Sequence, residues 1–295
     1  MTKTLLIVNP KASGVRPDAV AEVTKLLGAA TELEVVATRE RNHATEIVRA
    51  LPPGTEQVFA MGGDGLFNEV ANGIDADMPV GLLGAGASNV LPRALGLPGD
   101  AKSAALRLAT SSATRQISLG VANGRRFTFC CGLGIDAEVV REVDRRGRRK
   151  GRRASDSAVA WELVRALVGR RLMLRPVLEV VDHGRCAFVI ATNGDPYTYA
   201  GALPVHAAPL ARFDAGVDIV APRRLGPLGI LGLAWAVLAR PGRQTRSARY
   251  IYLHDIDDAV VHCDALTPLQ LDGEDIGDVQ QLELSVDRAA MTVLI

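Results

Sequence analysis

The stretch QVFAMGGDGLFNEVANGI, residues 57–74, passes from an unbroken apolar run through a glycine turn into a helical pattern. Gln57 to Met61 shows no polar alternation, as expected of a strand buried on both faces of a parallel sheet. Leu66 to Ile74 places its apolar residues at helical spacing. Between them, Met61-Gly62-Gly63-Asp64-Gly65 forms a strand-to-helix turn, and open α/β sheets bind their ligands at that edge. Glycines let the backbone approach a ligand with no Cβ in the way, and the N–H groups opening the next helix favour an anion. The turn matches neither G-x-x-x-x-G-K-[ST] nor G-x-G-x-x-G. On its own residues it reads equally as a tight connection or as a phosphate cradle.

The same strand-helix rhythm continues on both sides. Thr4 to Val8 precedes a helical pattern at Asp18 to Leu27, Leu33 to Ala37 precedes His43 to Leu51, and Val80 to Leu83 precedes Ser88 to Leu95. Such alternation predicts right-handed crossovers and a mostly parallel sheet. Two further polar turns fall at carboxyl ends of strands: Asn9-Pro10-Lys11-Ala12-Ser13-Gly14 and Gly84-Ala85-Gly86-Ala87-Ser88-Asn89. Three such turns on one sheet edge would converge on a polyanion.

Beyond about residue 116 the texture becomes strand-rich, with runs at Arg126 to Cys131, Val177 to Val181, Ala187 to Thr192 and Val217 to Val220. Asp156 to Leu167 reads as an amphipathic helix. Leu269 to Leu271, Leu282 to Val286 and Met291 to Leu294 read as strands. The expected organisation is an α/β nucleotide-binding domain over residues 1–118, to which a strand at about 285–295 returns, and a mainly β domain over 119–284.

The bulk properties exclude several classes. With 295 residues, 48% of them hydrophobic, and 34 Lys and Arg against 33 Asp and Glu, the chain can bury two cores and carries no nucleic-acid-coating charge. No nucleic-acid partner is expected. Its 4 cysteines show no zinc spacing and no disulfide framework, and the histidines are too scattered for a metal site. The N-terminus does not read as a signal peptide. The longest apolar stretch, Leu225 to Ala239, contains glycines and Pro227 and falls short of the roughly 20 residues of a spanning helix. A cytoplasmic chain that touches membranes only peripherally is the expectation.

NPKASG, MGGDGLFNEVANG and GLLGAGASNVLPRALGLP together resemble the nucleotide-side motifs of the bacterial diacylglycerol kinase and sphingosine kinase-like family. CGLGIDAEV with Asp136, YAGALPVHAAPLARFDAGVDIV, and LQLDGEDIG resemble its later motifs. The resemblance implies a first domain like those of NAD kinases and phosphofructokinases, and a sandwich-like second domain that supplies the lipid site. It implies ATP as donor and Mg2+ as cofactor. The nucleotide would be contacted by Asn9, Pro10, Ser13, Gly14, Thr38, Gly62, Gly63, Asp64, Gly65, Asn68, Glu69, Gly86, Ala87, Ser88 and Asn89. Asp64 and Asp136 would order the catalytic magnesium and its waters, and Asp214 stands where the family holds a structural magnesium. Glu274 would be the general base, with Asp272 beside it in the Asp272-Gly273-Glu274 turn. Read without the resemblance, that turn is an ordinary acidic β-turn.

Three departures stand out. Gly86-Ala87-Ser88-Asn89-Val90 replaces a usual Gly-Thr-x-Asn-Asp, Phe213-Asp214-Ala215-Gly216 replaces an Asp-Asp-Gly run, and Leu66 replaces a threonine. The implied activity is phosphorylation of a lipid hydroxyl, foremost that of diacylglycerol. The alternatives are a sphingoid or other lipid, a soluble acceptor as in NAD kinases, and a non-catalytic binding module.

Basic residues crowd Arg145 to Arg153, a run that either docks on an anionic membrane, at ~1 kcal/mol per residue, or is a solvated loop. Pro227 to Ala239, with Trp235 and flanking arginines, reads more readily as a core helix than as an interfacial one. A homodimer is compatible with all of this.

Overall fold

The computed structural model describes residues 1–150, 156–239 and 242–295, with side chains described except at 147–150 and 156–158. Arg148, Arg149, Lys150, Arg152 and Arg153 of the basic run, and Arg240, therefore lie outside the described side chains. The chain divides into two compact units, Met1–Leu119 with Asp287–Ile295, and Gly120–Val286.

The first unit alternates strands and helices: β1 Lys3–Val8, α1 Pro17–Gly28, β2 Glu32–Ala37, α2 His43–Arg49, β3 Gln57–Gly62, α3 Asp64–Ala71, β4 Pro79–Gly84, α4 Val90–Ala94, α5 Ala101–Leu108 and β5 Thr114–Ala122. β1 pairs in parallel with β2 and β3, and β3 pairs in parallel with β4. Leu5, Leu6, Ile7, Phe59, Met61, Leu82 and Leu83 are fully buried, each contributing about 1.5–3 kcal/mol relative to exposure. The edge strand β2 leaves Val35 exposed. Local signals mark the helix starts: Pro17 opens α1 with its φ already helical, and the Asp100 side chain accepts from Ser103 N to cap α5.

The sheet's register matters for the site. Val8 lies level with Ala37 and Met61, and Met61 with Leu83. The residues that follow, Asn9, Thr38, Gly62 and Gly84, therefore leave the carboxyl edge at one height.

The second unit continues with β6 Arg125–Phe127, β7 Cys130–Leu133, α6 Ile135–Lys150, α7 Asp156–Gly169, β8 Leu178–Val180, β9 Gly184–Cys186, β10 Val189–Thr192, β11 Thr198–Ala200, β12 Leu203–Val205, β13 Val217–Pro222, α8 Pro227–Ala239, β14 Tyr250–Ile256, β15 Asp258–Leu271 and β16 Glu274–Leu294. β14, β13, β10, β7, β15 and β16 are hydrogen-bonded in that order, antiparallel throughout. They bury a core that includes Phe127, Leu178, Val189, Ile219 and Leu282. The three helices gather around a smaller core of Ile135, Leu174, Ala187, Phe188 and Leu225. β16 starts in the second unit, and its last residues, from Asp287, belong to the first, where Thr292 and Val293 pair in parallel with Pro79 and Val80 of β4.

The fold departs from the sequence expectations at four places. The run Arg126 to Cys131 is two strands, because the N–H groups of Thr128, Phe129 and Cys130 donate to the Asp272 carboxylate. The basic run is not a loop up to Lys150: it closes α6, which starts at Ile135. The two C-terminal runs after Leu282 are parts of one strand of 21 residues. Finally, α8 is no core helix, since its one buried residue is Ala236 while Leu228 is 84% exposed.

Candidate functional site

In the first unit the three polar turns are tied to one another by backbone hydrogen bonds. Asn9 N donates to Met61 O at 3.0 Å, Gly14 N to Ala85 O at 2.8 Å, and Ala85 N to Gly62 O at 2.6 Å. Gly86 sits so close to the middle turn that a Cβ there would lie 2.5 Å from Gly63 Cα. No side chain can be added without moving one turn off the other. The turns expected to converge on a polyanion thus do converge, and they do it through backbone that only glycine permits.

Each turn is also braced from within. Asn9 Oδ1 accepts from Lys11 N at 3.0 Å, and Lys11 Nζ reaches Arg39 O beyond Thr38. Asn89 has a left-handed backbone and is buried. Its Oδ1 accepts from Gly86 N at 2.8 Å and its Nδ2 donates to Gly86 O and Gly99 O. Asn89 therefore shapes its turn, and Ala87 and Ser88 form the tip. Pro10 and Ser13 are exposed on the first turn. Thr38 is buried, with its N–H donating to Val8 O.

The middle turn ends at Gly63, and α3 starts at Asp64. Half-buried Asp64 stands on the helix N-terminus, where a carboxylate is favoured, and Oδ1 lies 3.4 Å from Leu91 N of α4. Two residues expected to contact the nucleotide make hydrogen bonds within the fold. Glu69 Oε2 accepts from Ala44 N at 3.1 Å and Glu69 O accepts from Thr45 Oγ1 at 2.6 Å, so this residue caps α2. Asn68 is buried and accepts from Asn72 Nδ2.

In the second unit, Glu274 opens β16 directly after a two-residue hairpin turn. Asp272 and Gly273 both have positive φ, 49° and 79°, the conformation that the Asp-Gly pair favours. Leu271 pairs with Glu274 across the turn. The buried Asp272 carboxylate fixes this hairpin: Oδ2 accepts from Thr128 N at 2.7 Å and Thr128 Oγ1 at 2.9 Å, and Oδ1 from Phe129 N and Cys130 N. With four hydrogen bonds filling its lone-pair directions, Asp272 is a positioning residue rather than an acceptor for a substrate proton. Glu274 remains partly exposed, with Arg125 Nη2 at 3.8 Å.

A second chain of bonds runs from the same turn. Gly273 N donates to Gln270 Oε1 at 2.8 Å, Gln270 Nε2 to Asp136 Oδ2 at 2.8 Å, and Tyr197 OH to Asp136 Oδ1 at 2.6 Å. Burial pushes the Asp136 carboxyl above its ordinary range, opposed by the bonds from Tyr197 and Gln270. Gly132 makes room for this carboxylate, since a Cβ there would fall 1.8 Å from Asp136 Oδ2. Asp136 thus holds the floor under the hairpin. Sequence reading missed Gln270, Tyr197, Thr128 and Gly132; the LQLDGE and CGLG motifs that contain Gln270 and Gly132 were the available signal. Cys130, Cys131 and Cys186 are free and buried, and burial raises each thiol.

Asp214 is exposed and held by Arg212, with Nη2 at 2.7 Å from Oδ2. Among the described residues no group of three or more His, Cys, Asp or Glu is placed to hold a metal. A divalent cation carried on phosphates, needing only one carboxylate and water from the protein, fits Asp64. A cage built from protein groups alone is not found among the described residues.

Residues 3–122 match the diacylglycerol kinase catalytic domain. The "Probable lipid kinase YegS-like" of Pseudomonas aeruginosa is 36% identical over 142 residues, 47% of this chain and 46% of that protein. A diacylglycerol kinase of Staphylococcus epidermidis is 36% identical over 134 residues, 44% and 41%. The aligned part spans less than half the length of these relatives. A crystal structure of a diacylglycerol kinase from Bacillus anthracis superposes with a TM-score of 0.73 at 17% identity, covering 99% of this chain and 96% of that one. At that identity the likeness shows the fold: a parallel α/β unit followed by a largely β unit.

Proposed function

We propose that this chain, whose residues 3–122 carry a diacylglycerol kinase catalytic domain, is an ATP-dependent lipid kinase that phosphorylates the hydroxyl of diacylglycerol to give phosphatidic acid. The observation that carries the reading is the set of three turns locked at one sheet edge by Gly14 N to Ala85 O and Ala85 N to Gly62 O. Their packing leaves backbone and the N-terminus of α3 to receive phosphates.

Phosphoryl transfer asks the protein mainly for positioning and charge neutralisation. The glycine turns, one of them shaped by Asn89, hold the donor phosphates. Asp64 is the residue that would hold a phosphate-borne Mg2+, and the ion, when bound, would supply charge neutralisation at the transferred group. Glu274 accepts the proton of the lipid hydroxyl as the oxygen attacks the γ-phosphorus and ADP leaves with the bridging electrons. The hairpin conformation, Asp272 and the Gln270 bond hold Glu274 at the start of β16. Peripheral docking on an anionic membrane brings the enzyme to its substrate.

The test is labelled phosphoryl transfer from ATP to diacylglycerol, sphingosine and NAD in mixed micelles. Labelled phosphatidic acid as the main product is the expected result. Labelled NADP, or ATP binding with no labelled product, would replace the lipid-kinase reading with a soluble-metabolite kinase or a binding module.

A further inference from the structure

Helices α7 and α8 turn large apolar side chains outward, against the usual arrangement of a surface in water. On α7, Glu162 is only 4% exposed and ion-pairs with Arg146 and Arg165, while Trp161, Val164 and Val168 are 61%, 51% and 60% exposed. On α8, Ile230 and Leu233 face the small core, and Leu228, Leu231, Trp235 and Leu238 point outward at 84%, 67%, 57% and 52% exposure. Spacings of three and four residues put each outward set on a single stripe. α8 carries no charged residue along its length, and a helix apolar all round is ordinarily covered on every side. Thirteen residues span only about 20 Å, too short to cross a bilayer, and among the described residues no helix is long and apolar enough to do so.

Both helices pack on the same small core through Ala166 and Leu167 of α7 and Ile230 and Leu233 of α8. The chain has 2 tryptophans, and both stand on these outward stripes, the aromatic placement favoured where apolar and wet media meet. The charge around α8 has one sign: from Ile219 to His254 the sequence carries arginines at 223, 224, 240, 243, 246 and 249 and no acidic residue. Gly229, Gly232 and Ala236 of α8 line a cavity of about 280 Å3 together with Arg243, Arg249, Ser247 and Tyr250. Two arginines among residues lining a cavity with a face of small residues suit a phosphodiester headgroup.

We propose that α7 and α8 form a membrane-inserting face whose apolar stripes and both tryptophans enter the interface of an anionic bilayer, with Arg243 and Arg249 receiving a lipid phosphate. This deepens the lipid-kinase reading and rests on it for the location of the substrate. It moves the docking element from the Arg145 to Arg153 run to the α7 and α8 surface.

Because both tryptophans lie on this face, intrinsic fluorescence reads docking directly. With phosphatidylglycerol-containing vesicles the emission should shift to the blue and be quenched by brominated acyl chains. Leu231→Ser with Leu238→Ser should weaken vesicle partitioning about tenfold or more, and Arg243→Ala with Arg249→Ala should reduce it to the level seen with pure phosphatidylcholine. Unchanged emission with no quenching would overturn the proposal. So would tryptophans already shielded in a lipid-free dimer by sedimentation, which would assign the face to a second copy. Transfer to a water-soluble short-chain diacylglycerol should survive the Leu231 and Leu238 changes. Its absence in the wild type would sink the kinase reading while leaving the fluorescence result standing.

Discussion

The three glycine turns and the Glu274 hairpin solve one problem, holding a local geometry still, by different means. The turns use backbone against backbone: Gly14 to Ala85, Ala85 to Gly62, and Gly86 against Gly63. The hairpin uses side chains drawn from far along the chain, with Asp272 reaching Thr128 and Gln270 reaching Asp136. A backbone site tolerates no added atom but is indifferent to most side-chain chemistry. A side-chain site fails when one partner loses a charge or a hydrogen bond.

Those contrasting tolerances can be broken separately. The largest stability loss should come from Asp272→Ala, which leaves three backbone N–H groups and a hydroxyl without their buried acceptor. The expected cost is about 3 kcal/mol or more, read from denaturant unfolding, with transfer activity lost as the hairpin loosens. Gly86→Ala should cost about 1–3 kcal/mol, because Gly63 must move. If the turns act as one donor cradle, ATP affinity falls more than stability does, as calorimetric titration would show. An ATP affinity unchanged by Gly86→Ala would separate the turns from the nucleotide.

Asp136 sharpens the comparison through pH. Its folded pKa is raised by burial, so the stability it contributes is fully present below its unfolded pKa and is lost as pH rises through the higher folded value. Asp136→Asn should therefore flatten that part of the stability profile, with the wild type gaining relative to the variant as pH falls toward 4 (roughly the unfolded carboxyl pKa). The smallest effect is expected at Asp100, whose carboxylate caps α5 through Ser103 N at 2.9 Å. Asp100→Ala should cost about 1 kcal/mol and leave transfer kinetics unchanged.

The same contrast explains what sequence reading could see. The first unit was legible because its strands are apolar without alternation and each glycine turn is contiguous. The second unit hid its logic in long-range pairs: nothing near Arg126 to Cys131 announces that Asp272 will take its N–H groups and split it into two strands. The motif that contains Glu69 and Asn68 points to the nucleotide, while the bonds that Glu69 makes to α2 and Asn68 to Asn72 are not legible in it. The sequence of α8 reads as core because apolar helices usually are, and its composition carries no periodic clue to which side faces out.

The central claim, that this hairpin presents a general base to a phosphoryl acceptor, is tested most directly by Glu274→Gln in the labelled-transfer assay, with ATP binding measured in parallel. In that variant kcat should fall about 10²–10⁴-fold while ATP affinity and unfolding stability stay at wild-type values. Full activity in Glu274→Gln would contradict it.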